Sequence, residues 1–180
     1  IGLGNMGISM AKNLIENGFN LTGFDLNPQR LDTLKELGGT PVATCKEVGE
    51  KADAVFIMVL SGAQIKQALF GDSGLLASLK PGSTIIVSAT VHPSEIRELE
   101  QPILDRGIHL VDTPVSGGKP GAEGGTLTLM TAAPQQVFDD IKPVLQAVGK
   151  NIFHVGEEVG LGQTVKASLQ ALIGSTFTAI

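Results

Sequence analysis

Gly2-Leu3-Gly4-Asn5-Met6-Gly7 is a G-x-G-x-x-G string, and it runs directly into residues 8–17, whose apolar side chains recur at three- and four-residue spacing. Three glycines so spaced serve a chain where backbone must turn tightly, approach a ligand and let a helix pack on a strand. Gly18 closes the helical pattern, and residues 21–25 read as a strand ending on Asp25, 18 residues after Gly7. Helix, spacing and acid together match the dinucleotide-binding fingerprint. Gly2 then permits the turn, Gly4 lets a pyrophosphate approach backbone, and Gly7 brings helix and strand together. The unpaired N–H groups at the helix start, around Asn5 and Met6, and the partial positive charge there favour that anion. Asp25, followed by Leu26, is placed to accept from adenosine ribose hydroxyls and to repel a 2′-phosphate, which favours NAD over NADP. Arg30 lies five residues on and either softens that preference or is a solvated residue of a helix face.

Apolar, β-rich runs alternate with helical patterns through the rest of the chain. Residues 21–25, 54–60, 83–87, 108–112, 126–131 and 152–155 read as strands; residues 6–17, 28–37, 63–69, 93–106 and 134–148 read as helices, with Pro28, Pro93 and Pro134 at first-turn positions. The alternation predicts βαβ units and a Rossmann-type α/β fold with a doubly wound, mostly parallel sheet. Composition agrees: 42% of the 180 residues are hydrophobic and 17% charged, as befits strands covered on both faces. Val59 and Leu60, closing the second of these strands, border the crevice outside the carboxyl ends of the strands. Residues 116–125 hold five glycines and read as a long loop. A domain boundary is expected near Glu157. Residues 1–156 form the NAD-binding domain, its first strand cut short at Ile1, and residues 157–180 form a loop and the start of an interdomain helix leading into an all-α C-terminal domain that is truncated.

The net charge of −5 is spread without a Lys/Arg stripe, which argues against a nucleic-acid partner. The longest apolar run, residues 54–60, falls far short of the roughly 20 residues that cross a bilayer, and no signal-peptide pattern opens the chain. Cys45 is the single cysteine and sits in no metal-ligand or redox spacing, so it reads as a structural thiol in a reducing, cytoplasmic setting. His92, His109 and His154 show no ligand spacing, and with no HExxH or paired-carboxylate pattern the chemistry needs no metal.

Three further strings lie at or beyond strand ends: Ser88-Ala89-Thr90-Val91-His92-Pro93, Asp112-Thr113-Pro114-Val115-Ser116-Gly117-Gly118, and Gly160-Leu161-Gly162-Gln163-Thr164-Val165-Lys166. With the glycine motif they resemble the four signatures of the β-hydroxyacid dehydrogenases, the family of 3-hydroxyisobutyrate dehydrogenase and tartronate semialdehyde reductase, over the whole chain. Residues 63–71 and 165–172 look most like its L-threonate dehydrogenase branch. The resemblance implies that Lys166 is the catalytic acid/base, that Ser116, Gly117 and Gly118 hold a substrate carboxylate, that Thr90 reaches towards nicotinamide and substrate, and that the protein is a homodimer or homotetramer acting on a small hydroxy acid. The chemistry is consistent: a desolvated amine can take the hydroxyl proton while hydride leaves carbon for nicotinamide. Thr90 alone would also read as a helix cap or turn residue. The family commonly places Asn three residues after the lysine. This chain has Leu169 there and Gln170 next, one helical turn from Lys166, where an amide can orient amine or substrate. Ala89 stands where the family usually has Ser. The rivals to an NAD-dependent hydroxyacid dehydrogenase are an NADP-preferring, 6-phosphogluconate-like or imine-reducing relative, and a catalytically silent dinucleotide-binding module.

Overall fold

The glycine-led first helix, α1 (Asn5–Glu16), opens an alternation that a computed structural model describes for residues 1–178. It continues through β1 (Thr22–Gly23), α2 (Pro28–Glu36), β2 (Thr40–Pro41), α3 (Cys45–Gly49), β3 (Ala54–Ile57), α4 (Gly62–Phe70), β4 (Thr84–Val87) and α5 (Pro93–Leu104). β5 (His109–Asp112), β6 (Val115–Ser116), α6 (Gly118–Glu123), β7 (Leu127–Ala132), α7 (Gln135–Val148), β8 (Gly149–Gly156) and α8 (Leu161–Thr178) complete it. Local chemistry sets several helix starts: Asn27, Thr44 and Ser61 each accept a backbone N–H from the first turn that follows, and Pro28 and Pro93 occupy positions whose N–H would be unpaired anyway.

β3, β4 and β5 run parallel, β5 and β6 pair antiparallel with β7, and β8 lies parallel to β7. β1 and β2 form a parallel pair of their own. Ile1 and Gly2 tie this pair to β3: Ile1 N donates to Phe56 O (2.8 Å), Met58 N to Ile1 O (2.9 Å) and Gly2 N to Phe24 O (3.0 Å). A cavity of about 500 Å³ lies beside them, lined among others by Met10, Leu14, Leu21 and Phe56 and by Asn20, Lys51 and Asp53.

In β4, Ile85 and Val87 belong to one apolar cluster, with Ile57, Ile65, Ile96 and Ile103, whereas Ile86 belongs to another, with Met10, Val111, Leu129, Phe138 and Leu145. Successive side chains of a strand point to opposite faces, so both faces are covered by helices, the doubly wound arrangement that the apolar runs imply. Cys45 is buried in the first cluster.

The expected elements are present, but β3 stops at Ile57, so that Val59 and Leu60 lie just beyond the strand they were expected to close, α3 was not expected, and three further differences follow. The pair β1–β2 is shorter than expected and includes Thr40–Pro41, which carries no strand signal because Pro41 cannot donate to a ladder and the pair sits at an edge. Residues 116–125 are not a long loop: Val115–Ser116 pair with β7, and Gly118–Glu123 form a helix held by Asn13, whose Nδ2 donates to Ala122 O (2.6 Å). Glycine and proline hide that helix from any periodicity reading. The interdomain helix, expected from Gln163 onward, begins two residues earlier, with α8 starting at Leu161. Among the described residues no helix is long and apolar enough to cross a membrane.

Candidate cofactor and catalytic site

The glycine motif forms the turn into α1. Gly2 has φ +83°, a region that favours glycine, and a Cβ added at Gly7 would run into the carbonyl of Gly2. A Cβ at Gly4 would meet nothing within 4 Å. Gly4 is also the N-cap of α1 and, having no side chain, leaves the first-turn N–H groups of Asn5 and Met6 without a capping acceptor. The motif is therefore tight where helix meets strand and open where an anion would approach.

Asp25 follows β1 and faces this turn. Its Oδ2 accepts from Leu3 N (2.6 Å) and its Oδ1 from Asn27 N (2.8 Å), which fixes the carboxylate while each oxygen keeps a lone pair. Arg30 is half-buried, and its Nη2 donates to Asn5 Oδ1 (3.1 Å). This exposed hydrogen bond places the guanidinium beside Asn5 at the start of α1. Gly2, Gly4, Asp25, Leu26, Val59 and Leu60 line a cavity of about 420 Å³. Leu26 and Leu60, at 87% and 90% exposure, hold large apolar side chains in water at its rim. A cleft of this size, with apolar walls and a fixed carboxylate, suits an adenosine, and Gly4 on its lining leads to the open N–H groups at the start of α1, which suit a pyrophosphate.

Lys166, on the second turn of α8, is 8% exposed and forms no ion pair or hydrogen bond with the described residues. Burial pushes its amine below the ordinary lysine range. One turn earlier on the same face, Gln163 is 1% exposed. Its Nε2 donates to Ala89 O (3.0 Å) and Asp112 Oδ1 (2.9 Å), and its Oε1 accepts from Val91 N (3.0 Å). Asp112 is fully buried at the end of β5, and its Oδ2 accepts from Gly160 N (2.9 Å) and Gln163 N (3.1 Å). Burial pushes its carboxyl up, and the N–H groups of Gln163, Gly160 and Gly162 oppose that shift. A Cβ at Gly162 would meet Met130 O and Asp112 O, so α8 enters in close contact with β5 and β7.

Thr90 is exposed just beyond β4, and its hydroxyl makes no hydrogen bond to the described residues. It caps nothing. α5 is capped by His92, whose Nδ1 accepts from Ser94 N, with Glu95 Oε2 accepting from His92 N. Ser116 is half-buried, and Gly117 (φ +128°) and Gly118 (φ +57°) are exposed at the start of α6. Gln170 is exposed, as is the remainder of the described helix beyond it, while Leu169 is half-buried. Through Gln163 the structure joins the neighbours of Thr90 to the helix bearing Lys166, and through Asp112 it joins the segment leading to Ser116; among the described residues no side-chain hydrogen bond links Gln170 to these groups. His154 stacks on Phe138 with ring centroids 4.4 Å apart and bonds Ala133 O. Sequence reasoning missed Asp112 and Gln163 as site residues. Their signals were an acid closing an apolar strand and an amide three residues before the lysine on one helix.

The family model described as the NAD binding domain of 6-phosphogluconate dehydrogenase matches residues 1–156. The chain is 38% identical over 175 residues to an L-threonate dehydrogenase of Pectobacterium atrosepticum, covering 97% of this chain and 58% of that one. It is 35% identical over 173 residues to an NAD-dependent L-serine dehydrogenase of Pseudomonas aeruginosa, covering 96% of this chain and 58% of the relative. A crystal structure of 3-hydroxyisobutyrate dehydrogenase from Salmonella typhimurium superposes with a TM-score of 0.92 at 35% identity, over 99% of this chain and 62% of that chain. The chain thus spans under two thirds of the length of these relatives.

Proposed function

The chain belongs to the family of the NAD-binding domain of 6-phosphogluconate dehydrogenase, and from that premise we propose that it is the cofactor-binding part of an NAD-dependent oxidoreductase acting on a small 2- or 3-hydroxy carboxylate, with Lys166 as general acid/base. The observation that carries this reading is Lys166 itself: a lysine only 8% exposed whose amine forms no ion pair or hydrogen bond with the described residues, on a helix tied by Gln163 to the turn that holds Thr90. A lysine of that kind is unusual as a structural element, because burial without a partner disfavours its charged form.

Bound NAD would supply the acceptor for the hydride leaving the alcohol carbon. The residues of the chain do the rest. Gly2, Gly4, Asn5, Met6 and Gly7 present backbone N–H groups and a close approach to the pyrophosphate, Asp25 takes the ribose hydroxyls, and Leu26, Val59 and Leu60 flank the adenosine. The Ser116 hydroxyl and the backbone of Gly117 and Gly118 hold the substrate carboxylate. Thr90 lines the reacting centre, and the neutral Lys166 amine takes the hydroxyl proton as hydride departs. In the reverse direction the ammonium returns that proton to the carbonyl oxygen. Gln170, one turn further on the same helix, would orient the amine or the substrate hydroxyl. In this reading residues 1–156 are the dinucleotide domain and the helix from Leu161 leads into further helical structure, against which the exposed Leu172 and Phe177 would pack. A cytoplasmic homodimer or homotetramer is part of the same proposal.

The direction of the lysine shift sets a pH dependence. Oxidation needs the neutral amine, and burial favours that form, so kcat/KM for hydroxy-acid oxidation by the full-length protein should rise with pH along a limb centred below 10.5, the ordinary lysine value. The carbonyl-reducing direction should fall along the same limb. Initial rates between neutral and alkaline pH check this, and a rate independent of pH in both directions contradicts it.

Arg30 favours one element of a second reading, tolerance of NADP, because its guanidinium stands beside Asn5 at the start of α1 and would pair with a 2′-phosphate. Asp25 opposes it. Asp25→Ala should lower NAD affinity by about 10–100-fold, the worth of hydrogen bonds to a charged acceptor, while leaving NADP affinity equal or improved. Arg30→Ala should weaken NADP more than NAD. Titrations with both dinucleotides measure this, and equal losses for the two in Asp25→Ala would contradict the role given to that carboxylate.

A further inference from the structure

We infer that Asp112 and Gln163 are positioning residues, a buried Asp–Gln pair that locks the helix bearing Lys166 onto the turn bearing Thr90. Proton transfer depends on the pair although neither side chain touches substrate; this rests on the reading of Lys166 as the general acid/base. The first turn of a helix has N–H groups with no intrahelical partner and carries partial positive charge. In α8 these groups are met by a carboxylate from another strand: Asp112 Oδ2 takes Gly160 N and Gln163 N. A fully buried carboxylate is costly unless its lone pairs are used, and here Gln163 Nε2 supplies the third donor, on Oδ1.

The Gln163 amide is saturated as well. Its two N–H bonds go to Asp112 Oδ1 and Ala89 O, and its oxygen accepts from Val91 N. Ala89 and Val91 are the two neighbours of Thr90, so one amide grips the peptide groups on both sides of that residue. Gln163 and Lys166 are three apart on one helix face, both buried. The chain of contacts from Asp112 through Gln163 to the Thr90 turn therefore fixes where α8 enters, and with it where the amine stands. There is little slack, because Gly162 packs against Asp112 and Met130 so closely that a methyl group would overlap them. Misplacing a reacting group by about 1 Å can cost about 10²-fold in rate.

The test is a double-mutant cycle in the full-length protein. Asp112→Asn keeps an oxygen for Gly160 N and Gln163 N but turns an amide nitrogen towards Gln163 Nε2, two donors face to face. Gln163→Glu sets two carboxylates together and turns an oxygen towards Ala89 O. In the double variant the new amide at position 112 can donate to the new carboxylate at position 163, whose other oxygen accepts from Val91 N, so only the contact with Ala89 O, now between two acceptors, stays unsatisfied. Each single change should lower kcat by up to about 10²-fold with the dissociation constant of NAD nearly unchanged. The double variant should recover at least about fivefold over the poorer single one.

Hydrogen exchange at the amides of Val91, Gly160 and Gln163 should quicken in both single variants and slow again in the double. If Gln163→Glu does not fold, the near-isosteric Gln163→Met removes the same three side-chain bonds without adding charge and should show the same loss of kcat. Additive losses, or kcat per folded molecule within about twofold of wild type in the single variants, would overturn the inference. Unchanged exchange would overturn the lock itself whether or not the protein turns over. A wild-type protein inactive on every hydroxy acid, or a fully active Lys166→Ala, would instead defeat the reading of Lys166, and the exchange measurement would still decide on the lock.

Discussion

Lys166→Ala in the full-length protein is expected to lower kcat for hydroxy-acid oxidation by about 10²–10⁴-fold, the usual worth of a positioned general base, with NAD affinity little changed. The separation of the two effects follows from where the residue lies. Lys166 sits on α8, whereas the dinucleotide contacts belong to the turn into α1, to Asp25 and Leu26, and to the end of β3. The variant should also fold, since no ion pair or hydrogen bond to the described residues is lost and only the packing of the lysine's methylene stem is given up. Lys166→Arg should not restore the rate, because a guanidinium stays protonated and cannot accept the hydroxyl proton. Steady-state kinetics with a calorimetric titration of NAD separates these outcomes. Unchanged kcat in Lys166→Ala would remove the residue from the chemistry.

Gly7→Val should have the second large effect, a loss of dinucleotide affinity of more than about 10²-fold accompanied by a lower melting temperature. A Cβ at Gly7 already overlaps the carbonyl of Gly2, and Gly2 is held by Phe24 O on one side and next to Met58 on the other. The branched side chain must therefore push α1 off the turn and turn its open N–H groups away from the pyrophosphate; overpacking of this kind costs about 1–3 kcal/mol or more. Gly4→Ala gives the contrast. Nothing lies within 4 Å of that Cβ and the backbone there is ordinary (φ −60°), so stability should stay within about 0.5 kcal/mol while affinity still falls, because the methyl group stands where the ligand approaches. Thermal melts and NAD titrations of the two variants check the pair, and equal destabilisation by both would contradict the division of labour among the glycines.

What the sequence made legible, and what it hid, divides along physical lines. The glycine turn, the acid after β1 and the long helices α1, α5 and α7 are visible because each rests on local rules: glycine conformations, a fixed spacing and apolar periodicity. The doubly covered sheet is visible in runs such as Thr84–Val87, in which every side chain is apolar or buried. The short elements were hidden for the opposite reason. Thr40–Pro41 and Val115–Ser116 become strands only by pairing, and Gly118–Glu123 becomes a helix against its propensities because Asn13 and Leu127 hold it from outside. Asp112 and Gln163 were hidden in the same way: their partners lie as far as 51 and 74 residues away in the chain, and nothing in either string announces the other. Arg30 shows the limit from the other side, since a helix-face arginine acquires its position beside Asn5 only once α1 and α2 are packed.

The most direct test of the account follows the transferred atom. A hydroxy acid of the threonate, glycerate or 3-hydroxyisobutyrate type, carrying deuterium on its alcohol carbon, is incubated with NAD and the full-length protein, and the mass of the reduced cofactor is measured. The account predicts one deuterium in the reduced nicotinamide for wild type and almost no reduced cofactor for Lys166→Ala. Reduced cofactor without deuterium, or a Lys166→Ala protein that delivers deuterium as fast as wild type, would contradict it.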